Sequence, residues 1–170
     1  MDKTPLLAVL CCLIGFSACS GPARYEYRFV PGKTATLYHG KATCPKNAPP
    51  EIHAAVAAGN ELVGQPYVFG GGHGRIGTGY DCSGAASHVL RATGKLQGVL
   101  SSREFRDFGE SGPGRWISVY VRKGHVFLVV AGLRYDTGWQ GRATGRDEGP
   151  HWTTLNRPAP GCEVRHPPGL

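Results

Sequence analysis

Apolar positions along the chain change their spacing near residue 114, and the change divides the sequence into a helical half and a strand half. Ile52, Ala55, Val56, Gly59, Leu62 and Val63 recur at the interval of a helix face, with Pro49 or Pro50 in the first turn and Gly64 as the stop. This predicts a helix over about 50–63. Ala85, Ala86, Val89 and Leu90 repeat the spacing from Cys82 to Thr93, closed by Gly94. Beyond 114, Trp116–Val121, His125–Ala131 and Leu133–Thr137 are rich in Val, Ile, Tyr and Phe, predicting three strands, with a shorter one near His151–Leu155. Upstream, alternation through Tyr25, Tyr27 and Phe29 and through Thr34, Thr36 and Tyr38 predicts one or two strands after a tether. The stretch from Pro45 to Pro50 reads as a linker, and residues 70–79 and 138–150 as Gly-rich loops. Helices first and an antiparallel run of strands after is an α+β layout.

The amino end follows another pattern. Met1-Asp2-Lys3 precedes an apolar run from Leu6 to Phe16, the length of a secretory h-region and too short to span a bilayer as a helix. It ends in Ser17-Ala18-Cys19-Ser20, similar to the lipobox of bacterial lipoproteins, in which the chain is cut before the cysteine and the cysteine is lipidated. The competing reading is an ordinary secretory peptide cut near Ala18. Both predict export; the lipobox adds an anchor at Cys19, with the outer membrane facing the periplasm as the expected location. The chain then divides into a leader over 1–18, a tether with strands over 19–48, and a domain over 49–170 that includes a carboxy-terminal extension.

Composition narrows the class. Gly and Pro number 26 and 13 of 170 residues, about twice their average usage together, which excludes a coiled coil or a helical bundle. The net charge of +7 suits a polyanionic partner. No basic run is interleaved with base-stacking aromatics and no zinc-knuckle spacing occurs, so with an export signal no nucleic acid is expected as partner. No metal and no cofactor is called for.

After the leader, Cys44, Cys82 and Cys162 remain, an odd number for an oxidising compartment. In Asp81-Cys82-Ser83-Gly84 a Gly-rich loop delivers Cys82 to the first turn of a predicted helix. Unpaired N–H groups and the helix dipole there are expected to lower the thiol pKa. Ser83 and Gly84 are small and leave the approach open. The competing reading is a buried structural cysteine or half of a disulfide. His125, at a strand start after Lys123-Gly124, is placed to accept a thiol proton and return it to a leaving amine. His73 sits in the Gly loop, as a substrate-loop or a solvated residue.

Pro66-Tyr67-Val68-Phe69-Gly70-Gly71-Gly72, Gly79-Tyr80-Asp81-Cys82-Ser83-Gly84 and Gly124-His125-Val126 together resemble the NlpC family of papain-like cell-wall cysteine peptidases, over about residues 50–140. The resemblance implies a papain-like fold, its N-terminal helices packed on an antiparallel sheet with the nucleophile at a helix start. It implies Cys82 as nucleophile, His125 as base, and Tyr67 and Asp81, with Ser83 beside them, at the substrate's amino end. The third member of the family's site is usually His, Asn or Gln on the next strand, and none follows at that distance. Pro113-Gly114-Arg115 also stands where the family commonly has Pro-Gly-Asp.

Hairpin parity supplies a substitute for the third member. If Ala131-Gly132 is a two-residue turn, Phe127 faces Asp136, and His125 and Asp136 share a face as diagonal neighbours. A three-residue loop would bring Thr137 there instead. With Cys82 reactive, Cys44 and Cys162 are left to form a disulfide joining the two tails. The implied activity is hydrolysis of an amide in the peptidoglycan stem, the D-γ-glutamyl–diamino acid bond first. The alternatives are an N-acetylmuramoyl-L-alanine amidase and an inactive wall-binding lipoprotein. The expected partners are peptidoglycan or its stem peptides, and the membrane through the lipid.

Overall fold

The computed structural model describes residues 25–74, 79–138, 148–156 and 161–170. The expected leader over 1–18 and the expected lipidation position Cys19 lie outside the described residues. A short hairpin comes first, β1 (Thr36–Tyr38) with β2 (Lys41–Thr43), then helices α1 (Pro50–Leu62) and α2 (Cys82–Ala92). After a 3-10 turn at Glu104–Asp107 come β3 (Glu110–Ser111), β4 (Ile117–Arg122), β5 (His125–Val130), β6 (Leu133–Asp136), β7 (His151–Thr153) and β8 (Glu163–His166). These last six strands form one sheet in the order β3-β8-β4-β5-β6-β7, and every pairing is antiparallel. The architecture is α+β.

Local chemistry explains where the elements begin and turn. Pro50 opens α1, where its missing N–H leaves no bond unmade. Asp81 caps α2 by accepting from the Gly84 N–H at 2.7 Å. The β5–β6 turn is Ala131-Gly132 with φ of 45° and 74°, the double positive φ that lets a two-residue loop follow strand twist. It sets Val130 against Leu133 and Leu128 against Tyr135, so Phe127 and Asp136 come next as opposite neighbours.

Strand alternation then sorts the sheet. Val119, Val121, Val126, Leu128, Val130, Leu133, Tyr135 and Trp152 face the helices and join Ile52, Val56, Val89 and Leu90 in one core. Gly59 of α1 lies under Trp152, and a β-carbon there would overlap the indole ring. The other face carries Tyr120, His125, Phe127, Arg134 and Asp136 by the same registers. Tyr120 stacks on Phe127 with ring centroids 4.7 Å apart.

Three expectations need correction. Tyr25–Phe29 forms no strand, only a bridge at Tyr25, and Tyr25 is turned onto β6: its hydroxyl accepts from the Arg134 N–H and donates to the Gly132 carbonyl. The carboxy-terminal stretch is part of the sheet, since β8 lies between β3 and β4. Its polar sequence, Glu163-Val-Arg-His, carries no clear period.

The expected Cys44–Cys162 disulfide is not formed, and Cys44 is a free thiol. Cys44 follows β2, whose register carries it opposite Ala35. Ala35 donates to the Ala131 carbonyl at 2.7 Å, so Cys44 sits near the β5–β6 turn. Cys162 precedes Glu163, the partner of Val121, at the other end of β4. Six strand residues at about 3.4 Å each separate those ends by roughly 17 Å, while a disulfide needs Cα atoms within about 7 Å.

Candidate active site

The first turn of α2 and the first residue of β5 meet at one end of the sheet. Cys82 is buried there, 8% exposed, with the backbone N–H groups of Val126 and Ser83 directed at its sulfur. Val126 is the residue after His125, so the thiol lies against the base of the imidazole's own strand.

The loop before Cys82 is tied down by one carboxylate. Asp81 Oδ1 accepts from the Gly84 N–H at 2.7 Å and from the Ser83 hydroxyl at 2.9 Å. Its Oδ2 accepts from the Gly70 N–H at 3.0 Å. His73 Nε2 lies 3.2 Å from Asp81 Oδ1 and 3.1 Å from Ser83 Oγ. Tyr67 forms a parallel bridge with Tyr80, and the Val68 N–H donates to the Tyr80 carbonyl at 3.2 Å. That zipper brings the half-buried Tyr67 alongside the Cys82 loop. Gly84 packs against the Gly71 carbonyl, where any β-carbon would overlap the oxygen. Its small size serves this contact between helix and loop, not an open approach to the thiol.

The sheet supplies the other half. His125 Nε2 lies 2.8 Å from Asp136 Oδ1, and the Thr137 N–H donates to the same oxygen at 2.8 Å. On the far side Arg134 Nε stands 3.6 Å from Asp136 Oδ2, with both side chains fully buried. Arg134 donates through Nη1 to the Leu155 carbonyl at 2.7 Å and lies over the Tyr25 ring. A neutral His125 donating from Nε2 to the carboxylate has its Nδ1 as acceptor. Among the two residues considered for this place, the register puts Asp136 beside the imidazole.

The thiol's electrostatics reverse an expectation. Burial pushes the Cys82 thiol pKa above its ordinary value, and the charges of Asp81 and Asp136 push the same way; the Val126 and Ser83 N–H groups oppose them without prevailing. The expected lowering by the helix start is overridden because the same turn is buried between two carboxylates. Burial likewise raises Cys44, to about 11.

His125 and Asp136 are thus paired, the Cys82 thiol lies against Val126, the residue after His125, and Tyr67 lies beside the Cys82 loop. Asp81 and Ser83 are brought close but turned into the loop, Ser83 being 5% exposed. Sequence reasoning missed Arg134 and the tie made by His73. Arg134 had a usable signal, since it stands two residues before Asp136 on a strand and so shares its face. His73 had none beyond its place in a Gly run. Compared with protein-family models, with curated proteins and with solved structures, the chain gives no match.

Proposed function

We propose that the protein is a cysteine peptidase of the papain-like NlpC type, hydrolysing an amide in the peptide stem of peptidoglycan. The observation that carries this reading is a His125–Asp136 pair held at 2.8 Å on the strand whose Val126 N–H is directed at the buried Cys82 thiol. A structural cysteine has no need of an oriented imidazole. In the reaction, His125 Nδ1 takes the Cys82 proton as sulfur attacks the carbonyl carbon. The same proton then passes to the leaving amine as the C–N bond breaks, leaving a thioester. Water, deprotonated by His125, attacks the thioester and expels the thiol. The Cys82 N–H, a first-turn group without a partner inside the helix, is the donor available to the oxyanion. Because the resting thiol holds its proton tightly, thiolate forms by transfer to His125 during attack. Asp136 fixes the tautomer and stabilises the imidazolium.

In this reading the leader exports the chain, Cys19 carries lipid at the outer membrane, and the domain faces the wall from the periplasm. The D-γ-glutamyl–diamino acid bond is the proposed target, with Tyr67 and Asp81 at the free amine of the stem. One observation favours a second reading, an amidase cutting before L-Ala. Asp81 Oδ1 is already committed to Gly84, Ser83 and His73 and Oδ2 accepts from the Gly70 N–H, which leaves little of the carboxylate for a substrate amine, and an amidase would need none. Digestion of purified sacculi, with a free tetrapeptide stem and an intact muropeptide alongside, tests both. New diamino acid amino termini support the endopeptidase; a released L-Ala stem supports the amidase. No cleavage by the reduced wild-type protein would return the wall-binding lipoprotein.

A further inference from the structure

Four cationic side chains line one cavity at the β4–β5 turn that precedes His125. Arg103, Arg106, Arg122 and Lys123, with Gly124, enclose about 360 Å³ between the 3-10 turn at Glu104–Asp107 and the β4–β5 turn. Arg122 is the cross-strand partner of His125, and directly opposed residues carry their β-carbons about 5 Å apart. One wall of the cavity is therefore the residue directly across the hairpin from His125. Its charge is only partly balanced. Arg106 pairs with the exposed Glu163 at 3.1 Å, while Glu104 is turned back on Ser101 at 2.7 Å. Arg103 and Lys123 are exposed and make no ion pair among the described residues. Like charges gathered around a concavity raise the local potential and draw an anion into it.

We infer that this cavity binds carboxylates on the leaving fragment of the substrate, an assignment that rests on the hydrolase reading above. The imidazole delivers a proton to the leaving amine, so the leaving fragment must pass over His125 and meet Arg122 opposite it. Tyr67 and the Gly loop lie on the side of Cys82, where the acyl fragment stays. A diamino acid released from a stem carries free carboxylates, and guanidinium groups match them in paired hydrogen bonds. The concavity has the size of a small polar group's site and not the flat extent of a membrane-binding face.

The test separates the subsite from the reaction. The tripeptide L-Ala–D-γ-Glu–diaminopimelic acid and its form amidated on the diamino acid carboxyls are titrated calorimetrically into full-length protein carrying Cys82→Ser. The acid is expected to bind at least about tenfold tighter than the amide. In the further variant Arg103→Gln with Lys123→Gln, both at exposed positions, the gap should close to within about twofold. Equal binding of acid and amide, a gap that survives the double substitution, or no binding of either form overturns the inference. Cleavage of the acid by wild-type protein is measured in parallel. A gap that closes as expected, with no cleavage, keeps the anion subsite and removes the hydrolase reading instead.

Discussion

The two halves of the candidate site hold their reactive groups by opposite means. Around Cys82 the work is done by backbone and one carboxylate. Asp81 accepts from two N–H groups and a hydroxyl, and two glycines let the loop and helix touch. Around His125 it is done by side chains fixed in a sheet, where a fully buried Arg134–Asp136 pair backs the imidazole. Consequently the thiol half is sensitive to shape and the imidazole half to charge. The difference also explains the electrostatics. The carboxylates that organise the two halves both raise the Cys82 thiol, so a geometry good for proton transfer stabilises the resting thiol.

The largest effect comes from breaking either half at its reactive atom. Cys82→Ala should lower turnover of sacculi by roughly 10⁶-fold, as removal of a nucleophile does in other hydrolases, with the far-ultraviolet dichroism unchanged. If activity survives this change, the thiol is structural and the comparison loses its first side. Next is the carboxylate. Asp136→Asn should cost about 10⁴-fold in kcat by releasing the tautomer, while Thr137→Val, whose buried hydroxyl has no hydrogen bond among the described residues, should leave kcat within about twofold. Equal losses from the two would mean that the sheet edge as a whole was disturbed.

These two positions also show how much the sequence could tell. Asp136 was reachable because strand parity and a two-residue turn are short-range rules: once Ala131-Gly132 is the turn, the faces of His125 and Asp136 follow. The helix start at Cys82 was legible for a similar reason, since Asp81 caps within three residues. Contacts set by distant chain were not. The tie of His73 to Asp81 and Ser83 depends on how a Gly-rich loop folds back, and β8 reaches β4 from more than forty residues away. The missing disulfide has the same origin. Counting cysteines ignores which end of a strand each one reaches.

A charge-directed change should damage the imidazole half most in stability. Arg134→Met removes a fully buried guanidinium and leaves the Asp136 carboxylate without it, and such losses run to about 3–5 kcal/mol. Urea denaturation should show a lower midpoint at unchanged slope. A loss below about 1 kcal/mol would mean that Asp136 draws its support from its other partners, the Thr137 N–H and His125 among them. The shape-directed counterpart is Gly84→Ala. Its β-carbon would press on the Gly71 carbonyl, and overpacking of this kind costs about 1–3 kcal/mol. Because the displaced loop carries Tyr67, KM should rise with it.

The smallest effect is also the one that joins the two halves. Asp81→Asn keeps an oxygen for the Gly84 N–H and the Ser83 hydroxyl, but sets an amide NH₂ against the Gly70 N–H that Oδ2 now accepts. One lost hydrogen bond costs about 1 kcal/mol, so the fold should survive. The thiol, however, loses a neighbouring negative charge that raises it. Its pKa should therefore fall, and iodoacetamide should alkylate Cys82 faster at neutral pH than in wild type. The same displacement should appear in stability. Burial holds the proton on Cys82 more tightly in the folded chain than in the unfolded one, so the unfolded chain ionises first. That contribution is present below the ordinary thiol pKa and is lost as pH rises through the folded value. Asp81→Asn should weaken this alkaline loss. An alkylation profile that does not move, in a variant still folded, would mean that Asp81 shapes the loop without setting the charge at the sulfur.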